Sequence, residues 1–118
     1  MASKGTTRYY SAKQEHEIAK LIEGRKIANS GATTFCKGDV ENEFMLVECK
    51  TCIEEKKSFA IKKEWLDKLE EEAFAMNKNY HALAFNFGEY TDNYFILNER
   101  AFKQFLDFIR ETEVSADE

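Results

Sequence analysis

The most informative segment of this chain is residues 38–50, which read GDVENEFMLVECK. From Phe44 onward the segment is rich in residues that favour β-strands, and it follows the turn-like stretch 39–43. This pattern predicts a β-hairpin, with one strand over 34–40 and the other over 44–51.

Charged side chains at the end of the second strand share one of its faces. Because side chains alternate across a strand, Glu48 and Lys50 lie on one face and Cys49 points to the other, towards the core. A carboxylate and an ammonium two residues apart are costly to bury unless they pair or bind something. Asp39 precedes the turn, and the hairpin would fold it back towards Glu48. Two carboxylates held on rigid strands form a hard oxygen site suited to Mg²⁺ or Mn²⁺.

A helix is predicted before the hairpin. Ser11 and Gln14 resemble a capping box, apolar residues then recur at helical spacing, and Gly24 is a natural stop. On this spacing Glu15 continues the apolar stripe and points inward, where it would add a third carboxylate to the site. The alternative is that Glu15 is an ordinary solvated helix charge.

The remaining pattern predicts a mixed α/β fold in one domain, residues 1–118, with loose ends at 1–10 and 112–118. The expected elements are an extended piece over 25–29, a turn at Ser30 and Gly31, a second helix over 61–76, and strands over 81–87 and 94–97. A last helix would be capped by Asn98 and turn its apolar stripe inward. That stripe consists of Phe102, Phe105, Leu106 and Ile109. The order α, β, β, β, α, β, β, α predicts a central mixed sheet of about five strands, flanked by helices.

The composition fits a compact domain in a reducing compartment. The chain has 118 residues, 43% of them hydrophobic, no proline and three cysteines, an odd number that needs no pairing. No apolar run approaches the roughly 18 residues of a membrane span, so we expect an intracellular protein without membrane association, in the cytoplasm or in a host cytoplasm if viral. Cys49 and Cys52 invite a zinc interpretation. Zinc is not expected, because Cys49 faces the core and the other possible ligands are distant.

The net charge of −5 hides a gradient along the chain. Residues 1–63 carry 12 Lys and Arg against 9 Asp and Glu, whereas residues 64–118 carry 5 against 13. A polyanionic partner, which the total charge disfavours, would therefore bind the first half.

The spacing of Asp39 and Glu48-Cys49-Lys50 resembles the PD-(D/E)XK nuclease motif, with Lys37-Gly38 before the aspartate in place of the usual proline. The wider context is similar to archaeal-type Holliday junction resolvases and their phage relatives. The shared features are an early glutamate at Glu15, the Ser30-Gly31 turn, and the segment FAIKK at 59–63 that opens a helix. The similarity covers about residues 13–97.

This resemblance implies a restriction-endonuclease-like core and Mg²⁺-dependent hydrolysis of a DNA phosphodiester, with Mn²⁺ as a substitute. The implied metal ligands are Asp39, Glu48, the backbone carbonyl of Cys49, and Glu15 directly or through water. Lys50 would orient or deprotonate the attacking water and stabilise charge in the transition state. Ser30 would hydrogen-bond the scissile phosphate.

DNA would bind through cations of the positive half, many of them in loops beside the predicted site. These candidate contacts are Arg8, Lys13, Arg25, Lys26, Lys37, Lys56, Lys57, Lys62 and Lys63.

We expect a structure-selective endonuclease of the Holliday junction resolvase type, acting in DNA recombination or repair. A four-way junction has two-fold symmetry and needs paired nicks, which a homodimer would supply. The aromatic residues at helical spacing, Trp65, Phe102, Phe105 and Phe108, are interpreted as core or dimer contacts. Two alternatives stay open: another PD-(D/E)XK nuclease or nickase, and a non-catalytic module on the same fold that binds DNA or a protein. An acidic DNA mimic, based on residues 64–118, is a weaker third.

Overall fold

The computed structural model describes residues 6–28 and 39–117, with side chains described for 6–28 and 39–114. The elements are α1 (Thr7–Leu21), β1 (Arg25–Lys26), β2 (Val40–Glu41), β3 (Met45–Lys50), α2 (Lys63–Ala75), β4 (Tyr80–Phe85), β5 (Tyr94–Ile96) and α3 (Glu99–Asp117). This order confirms the predicted mixed α/β fold. Residues 34–38 of the first predicted hairpin strand, the predicted phosphate contact Ser30 and the predicted DNA contact Lys37 lie outside the described residues.

The described strands form one mixed sheet in the order β1-β2-β3-β4-β5. The β3–β4 pair is parallel and the other pairs are antiparallel. Parallel neighbours need a long crossover, which α2 supplies between β3 and β4. The sheet is thus the predicted one, and β3 lies at its centre.

Asn42 fixes the turn between β2 and β3. Its Oδ1 accepts the backbone N–H groups of Phe44 at 3.0 Å and Met45 at 2.8 Å, and its Nδ2 donates to the carbonyl of Ile22 at 3.1 Å. An asparagine that bonds the backbone two and three residues on is a typical turn former. The same side chain therefore holds the hairpin closed and ties it to the end of α1.

The two faces of the sheet carry separate core clusters. Leu46 faces α2 and packs in a cluster with Leu69, Ala73 and Leu83. Val47 lies on the opposite face, in a cluster with Ile18 of α1, Val40, Ala82 and Ala84, and Cys49 packs against it. The predicted alternation along β3 is confirmed by this arrangement. Glu48 and Lys50 share the parity of Leu46, so they continue the face that α2 covers.

Helix α1 begins earlier than the sequence predicts. Thr6, in extended backbone geometry, is the N-cap, and its side-chain oxygen accepts the N–H of Tyr9 at 3.2 Å. The predicted capping box at Ser11 and Gln14 is therefore wrong, because both residues lie inside the helix and Gln14 is buried. Gly24 follows the helix, where a Cβ would lie 2.1 Å from the carbonyl oxygen of Glu41. The absence of a side chain at Gly24 lets the end of α1 approach β2.

The apolar stripe of α3 does not face inward. Asn98 does cap the helix, since its Oδ1 accepts the N–H of Ala101 at 2.9 Å. However, Phe102 is 53% exposed and Phe105 54% exposed. The first turn meets the domain through Ala101, which is buried, and through Arg100, which donates to the carbonyl of Asn79 at 2.8 Å. The inward prediction is therefore wrong for Phe102 and Phe105, because α3 makes few contacts with the other described elements, whereas Leu106 is partly buried.

The ends of the described chain are more regular than expected, because α1 begins at Thr7 and α3 extends to Asp117. Within the part of the chain that the structure describes, none of the helices is both long and apolar enough to cross a membrane.

Truncation of a buried apolar residue and of an exposed one should have different effects on the free energy of unfolding. Leu69→Ala should lower the free energy of unfolding by about 2–4 kcal/mol, because it opens a cavity under the sheet. Phe105→Ala, at an exposed site, should change it by less than about 0.5 kcal/mol. Urea unfolding followed by Trp65 fluorescence at sub-micromolar protein measures both. Equal losses in the two variants would contradict this assignment of the core.

Candidate active site

Asp39 is held by three hydrogen bonds, two to β3 and one to the residue that follows β1. Its backbone N–H donates to the carbonyl of Val47 at 3.0 Å, and its carbonyl accepts the N–H of Ile27 at 3.0 Å. Its carboxylate Oδ2 accepts the N–H of Cys49 at 2.7 Å. These bonds place Asp39 alongside Val47 and Cys49, the two residues that flank Glu48. The two predicted carboxylates are close enough to repel each other, because the charge of Asp39 raises the pKa of Glu48.

Lys50 lies between the carboxylate of Glu48 and an aromatic ring. Its Nζ is 3.6 Å from Glu48 Oε1 and 4.4 Å from the centre of the Trp65 ring. The Nζ of Lys62 is 5.6 Å from the centre of the same ring. Trp65 also packs against the Leu46 core cluster, as the core interpretation predicts. The ammonium of Lys50 is therefore placed by a salt bridge and a cation–π contact.

Burial and mutual repulsion make the carboxylates of the site unusually basic. Burial raises the pKa of Glu48 to about 7, with a further rise from Asp39, a partial offset from Lys50 and a smaller rise from Glu72. Burial also raises the pKa of Asp39, against the lowering effects of the Cys49 N–H bond and of Lys50. Charging both groups at neutral pH is thus costly, and a bound cation would relieve this cost.

Glu15 lies on the other side of Asp39. It is half-buried, and its Oε1 is 3.8 Å from the Nζ of Lys26. Burial, and then the charge of Asp39, raise the pKa of Glu15, while Lys26 lowers it. The inward position of α1 is the neighbouring Gln14, so Glu15 is at the edge of the predicted stripe. The structure brings it near Asp39 with a lysine as its ion-pair partner.

The donors of the site suit a hydrated cation better than a closed protein cage. Among residues 6–28 and 39–117 there is no group of three or more His, Cys, Asp and Glu side chains arranged to hold a metal ion. Mg²⁺ commonly keeps several waters and is bound by one or two carboxylates together with substrate phosphates. Asp39 and Glu48 fit that mode. The Cys49 thiol is a poor ligand, because burial raises its pKa and favours the protonated form.

Sequence reasoning missed the part that Gln14 plays beside this site. Gln14 is only 2% exposed, and its Nε2 donates to the backbone carbonyl of Lys50 at 2.8 Å. The same nitrogen lies 3.3 Å from Asn93 Oδ1 and 3.4 Å from the carbonyl of Ala84. The signal was present, since Gln14 precedes Ile18 by four residues and so belongs to its face of the helix.

The predicted DNA contacts on the described chain are largely exposed, but several carry carboxylate partners. The ion pairs are Lys13–Glu17 at 3.1 Å, Arg25–Glu41 at 3.4 Å, Lys26–Glu15 at 3.8 Å and Lys63–Asp67 at 2.8 Å. Arg8 is exposed on the first turns of α1, and Lys56 and Lys57 are exposed in the loop that follows β3. The exposed pairs Lys13–Glu17 and Lys63–Asp67 are weak and can exchange a carboxylate for a phosphate at little cost.

Comparison with known proteins identifies no relative of this chain. The chain matches no protein-family model, no curated protein and no solved structure. The interpretation of the site therefore rests on its own residues.

The raised pKa of Glu48 predicts a pH-dependent stability. The folded chain holds the Glu48 proton with a pKa of about 7, against an ordinary value of 4.5, so stability falls as pH rises between these values. Glu48→Gln removes this titration. We expect the variant to be roughly 1–3 kcal/mol more stable than the parent at about pH 8 without metal, with no such advantage at about pH 4.

Urea unfolding at the two pH values measures this effect. Glu43→Gln is the matched control, because Glu43 is exposed in the same hairpin. It should leave the pH dependence of the parent unchanged. A Glu48→Gln advantage of the same size at both pH values would show that the carboxylate does not titrate as described.

Proposed function

We propose that the protein is a metal-dependent DNA endonuclease with its active site at Asp39, Glu48 and Lys50. The observation that carries the proposal is a pair of partly buried carboxylates close enough to repel each other, Asp39 and Glu48, with the ammonium of Lys50 3.6 Å from Glu48. Repelling carboxylates that are costly to charge are a common mark of a functional site. The arrangement matches what the resemblance to PD-(D/E)XK nucleases implies for these three residues.

Asp39 and Glu48 would hold a Mg²⁺ ion or its substitute Mn²⁺, with the Cys49 carbonyl as a further donor. A bound Mg²⁺ supplies Lewis acidity towards a phosphoryl oxygen and lowers the pKa of a bound water. Lys50 would place positive charge where the phosphate gains negative charge and would orient the attacking water. Glu15 flanks Asp39 and would act directly or through water. Ser30 stays a predicted phosphate contact.

The proposed substrate is branched DNA, most specifically a four-way junction cut by paired nicks in an intracellular setting. This part of the proposal depends on the resemblance to Holliday junction resolvases, together with exposed cations such as Arg8, Lys56 and Lys57 in the positive half of the chain. A sequence- or damage-directed nickase would use the same three site residues. The resolvase and the nickase would differ in the DNA that they cut and not in the hydrolysis reaction.

A non-catalytic module is the second candidate function. One observation favours it: Lys26 pairs with Glu15, and Lys50 pairs with Glu48, so each carboxylate already has a cationic partner without any metal. Such a module would bind DNA or a protein and leave it intact. Asp39, whose carboxylate accepts a backbone N–H, argues against it, because burial still raises the pKa of that carboxyl.

We also propose that the chain acts as a homodimer through the exposed face of α3, because a junction needs two matched sites. Phe102, Phe105 and Phe108 each expose more than half of their surface. Together they present roughly 300 Å² of apolar surface on one helix, which is the size of an interaction patch. Two-fold packing would set this patch against its own copy.

Cleavage assays test the proposed site. With Mg²⁺ the protein should nick a labelled four-way junction in preference to a duplex or a single strand. Asp39→Asn and Glu48→Gln should each lower the rate by at least about 100-fold, because each removes a ligand that sustains several kcal/mol of transition-state stabilisation. Glu43→Gln should cut at the parental rate.

Two results would count against the active site. Full cleavage by either carboxylate variant would remove that residue from the chemistry. Junction binding without cleavage by the parent, combined with no carboxylate-dependent Mn²⁺ binding, would favour the non-catalytic module.

Sedimentation tests the proposed dimer. The parent should sediment as two chains at micromolar concentration, and Phe105→Glu as one chain, because a charge would be buried in the apolar contact. Phe74→Glu is the control, since Phe74 is 85% exposed and belongs to α2, not to α3. A parent that sediments as a single chain, or a dimer that survives Phe105→Glu, would contradict the α3 interface.

A further inference from the structure

We propose that Gln14 is a positioning residue for Lys50: its side-chain amide holds the last peptide of β3, so that the Lys50 ammonium stays between Glu48 and Trp65. The bond from Gln14 Nε2 to the Lys50 carbonyl is 2.8 Å long and joins residues 36 positions apart. The positioning role rests on this contact and does not require that the protein cleave DNA. Its value for catalysis rests on the function proposed above for Lys50.

At Lys50, β3 is paired with β4 but no longer with β2. Lys50 pairs with Phe85 of β4 in the parallel ladder, and it is the last residue of β3. On the other side, the paired residues of β2 end at Val40, opposite Val47. Gln14 reaches this end of β3 from α1 and supplies an additional hydrogen bond to it.

Gln14 belongs to a cluster of buried and partly buried amides that also holds Thr51, the residue after Lys50. We define the amide cluster as Gln14, Asn86 and Asn93. Gln14 Nε2 lies 3.3 Å from Asn93 Oδ1, which accepts the Nδ2 of Asn86 at 3.1 Å. Asn86 Oδ1 in turn accepts the hydroxyl of Thr51 at 2.7 Å. Two successive residues at the end of β3 are therefore anchored to one cluster, which fixes the direction in which the Lys50 side chain leaves the strand.

The cost of burying Gln14 supports a role beyond packing. Its Oε1 is buried and has no hydrogen-bond partner among the described residues. A half-satisfied buried amide is less favourable than an apolar side chain of the same size. What the glutamine contributes in return is the donor that reaches the Lys50 carbonyl.

The position of the Lys50 ammonium explains why a small shift of its backbone would matter. Its Nζ is 3.6 Å from Glu48 Oε1 and 4.4 Å from the Trp65 ring centre, at the end of a flexible four-carbon side chain. A displacement of about 1 Å at a reacting group can cost on the order of 100-fold in rate. The position of the ammonium therefore depends on a firmly held backbone.

The experiment compares Gln14→Met, which keeps the size of the side chain but removes the donor, with Asn42→Ala. Asn42 is a matched control because it is also a buried amide with three hydrogen bonds, but it lies at the start of β3, away from Lys50. Trp65 is the only tryptophan, so its fluorescence in the metal-free protein reports whether the Lys50 ammonium is above its ring. Lys50→Met defines the signal of the displaced state.

We expect Gln14→Met to move the Trp65 emission towards that of Lys50→Met. It should also lower the single-turnover cleavage rate on saturating junction DNA with Mg²⁺ by about 10–100-fold, with unchanged DNA affinity. Asn42→Ala should lower the Tm but keep the parental emission, because a loss of stability at the start of β3 does not displace the Lys50 ammonium. If circular dichroism shows that Gln14→Met does not fold, Gln14→Asn, whose amide is one methylene shorter, is measured in the same way.

Each result decides one of the two proposals. Parental emission in a folded Gln14 variant, or the same emission shift in Asn42→Ala, would overturn the positioning role. If the Gln14 variant shifts the emission but the parent protein does not cleave DNA, the positioning role stands and the proposed nuclease function is wrong. A shifted emission with an undiminished cleavage rate would also overturn the proposal, because Lys50 would then need no positioning.

Discussion

The rest of the site depends on the antiparallel pairing of Val40 with Val47. This register brings Asp39 alongside Val47 and Cys49, the two residues that flank Glu48, and a slip by one residue would move every side chain of β2 to the wrong face. Asn42 prevents the slip, because it bonds two N–H groups at the start of β3 and the carbonyl that follows α1. The turn, the core alternation and the carboxylate pair are consequences of one register.

That register places the charge of Glu48 at a position where it does not stabilise the fold. Leu46 belongs to the apolar face under α2, and two residues later the same face carries Glu48, whose pKa burial raises to about 7. A buried ion pair seldom contributes net stability, because desolvation offsets the attraction between its members. The Glu48–Lys50 pair is thus better explained by what it can bind than by what it stabilises, which is the physical case for a functional site here.

The sequence predicted the fold well where a single hydrophobic period, that of a strand or of a helix, controls the structure. Alternation along residues 44–50 predicted which side chains share a face of β3, and the element order followed from the change between periods. It was less informative where an exposed element is oriented by a few polar contacts. Arg100 bonds the carbonyl of Asn79 at the start of α3, and no periodicity encodes that contact. Gln14 was misread for a related reason: a polar residue on an apolar stripe was assigned a local partner, whereas its partner is 36 residues away.

Lys50 shows how both faces of the sheet contribute to one side chain. Its peptide is bonded from the α1 side by Gln14, while its ammonium lies over Trp65 of α2. Neither helix alone could place it, since one holds the backbone and the other holds the charge. The site is therefore complete only when both helices are docked on β3. Loosening either helix would move Lys50 relative to Glu48 while the hairpin that carries both carboxylates stays paired.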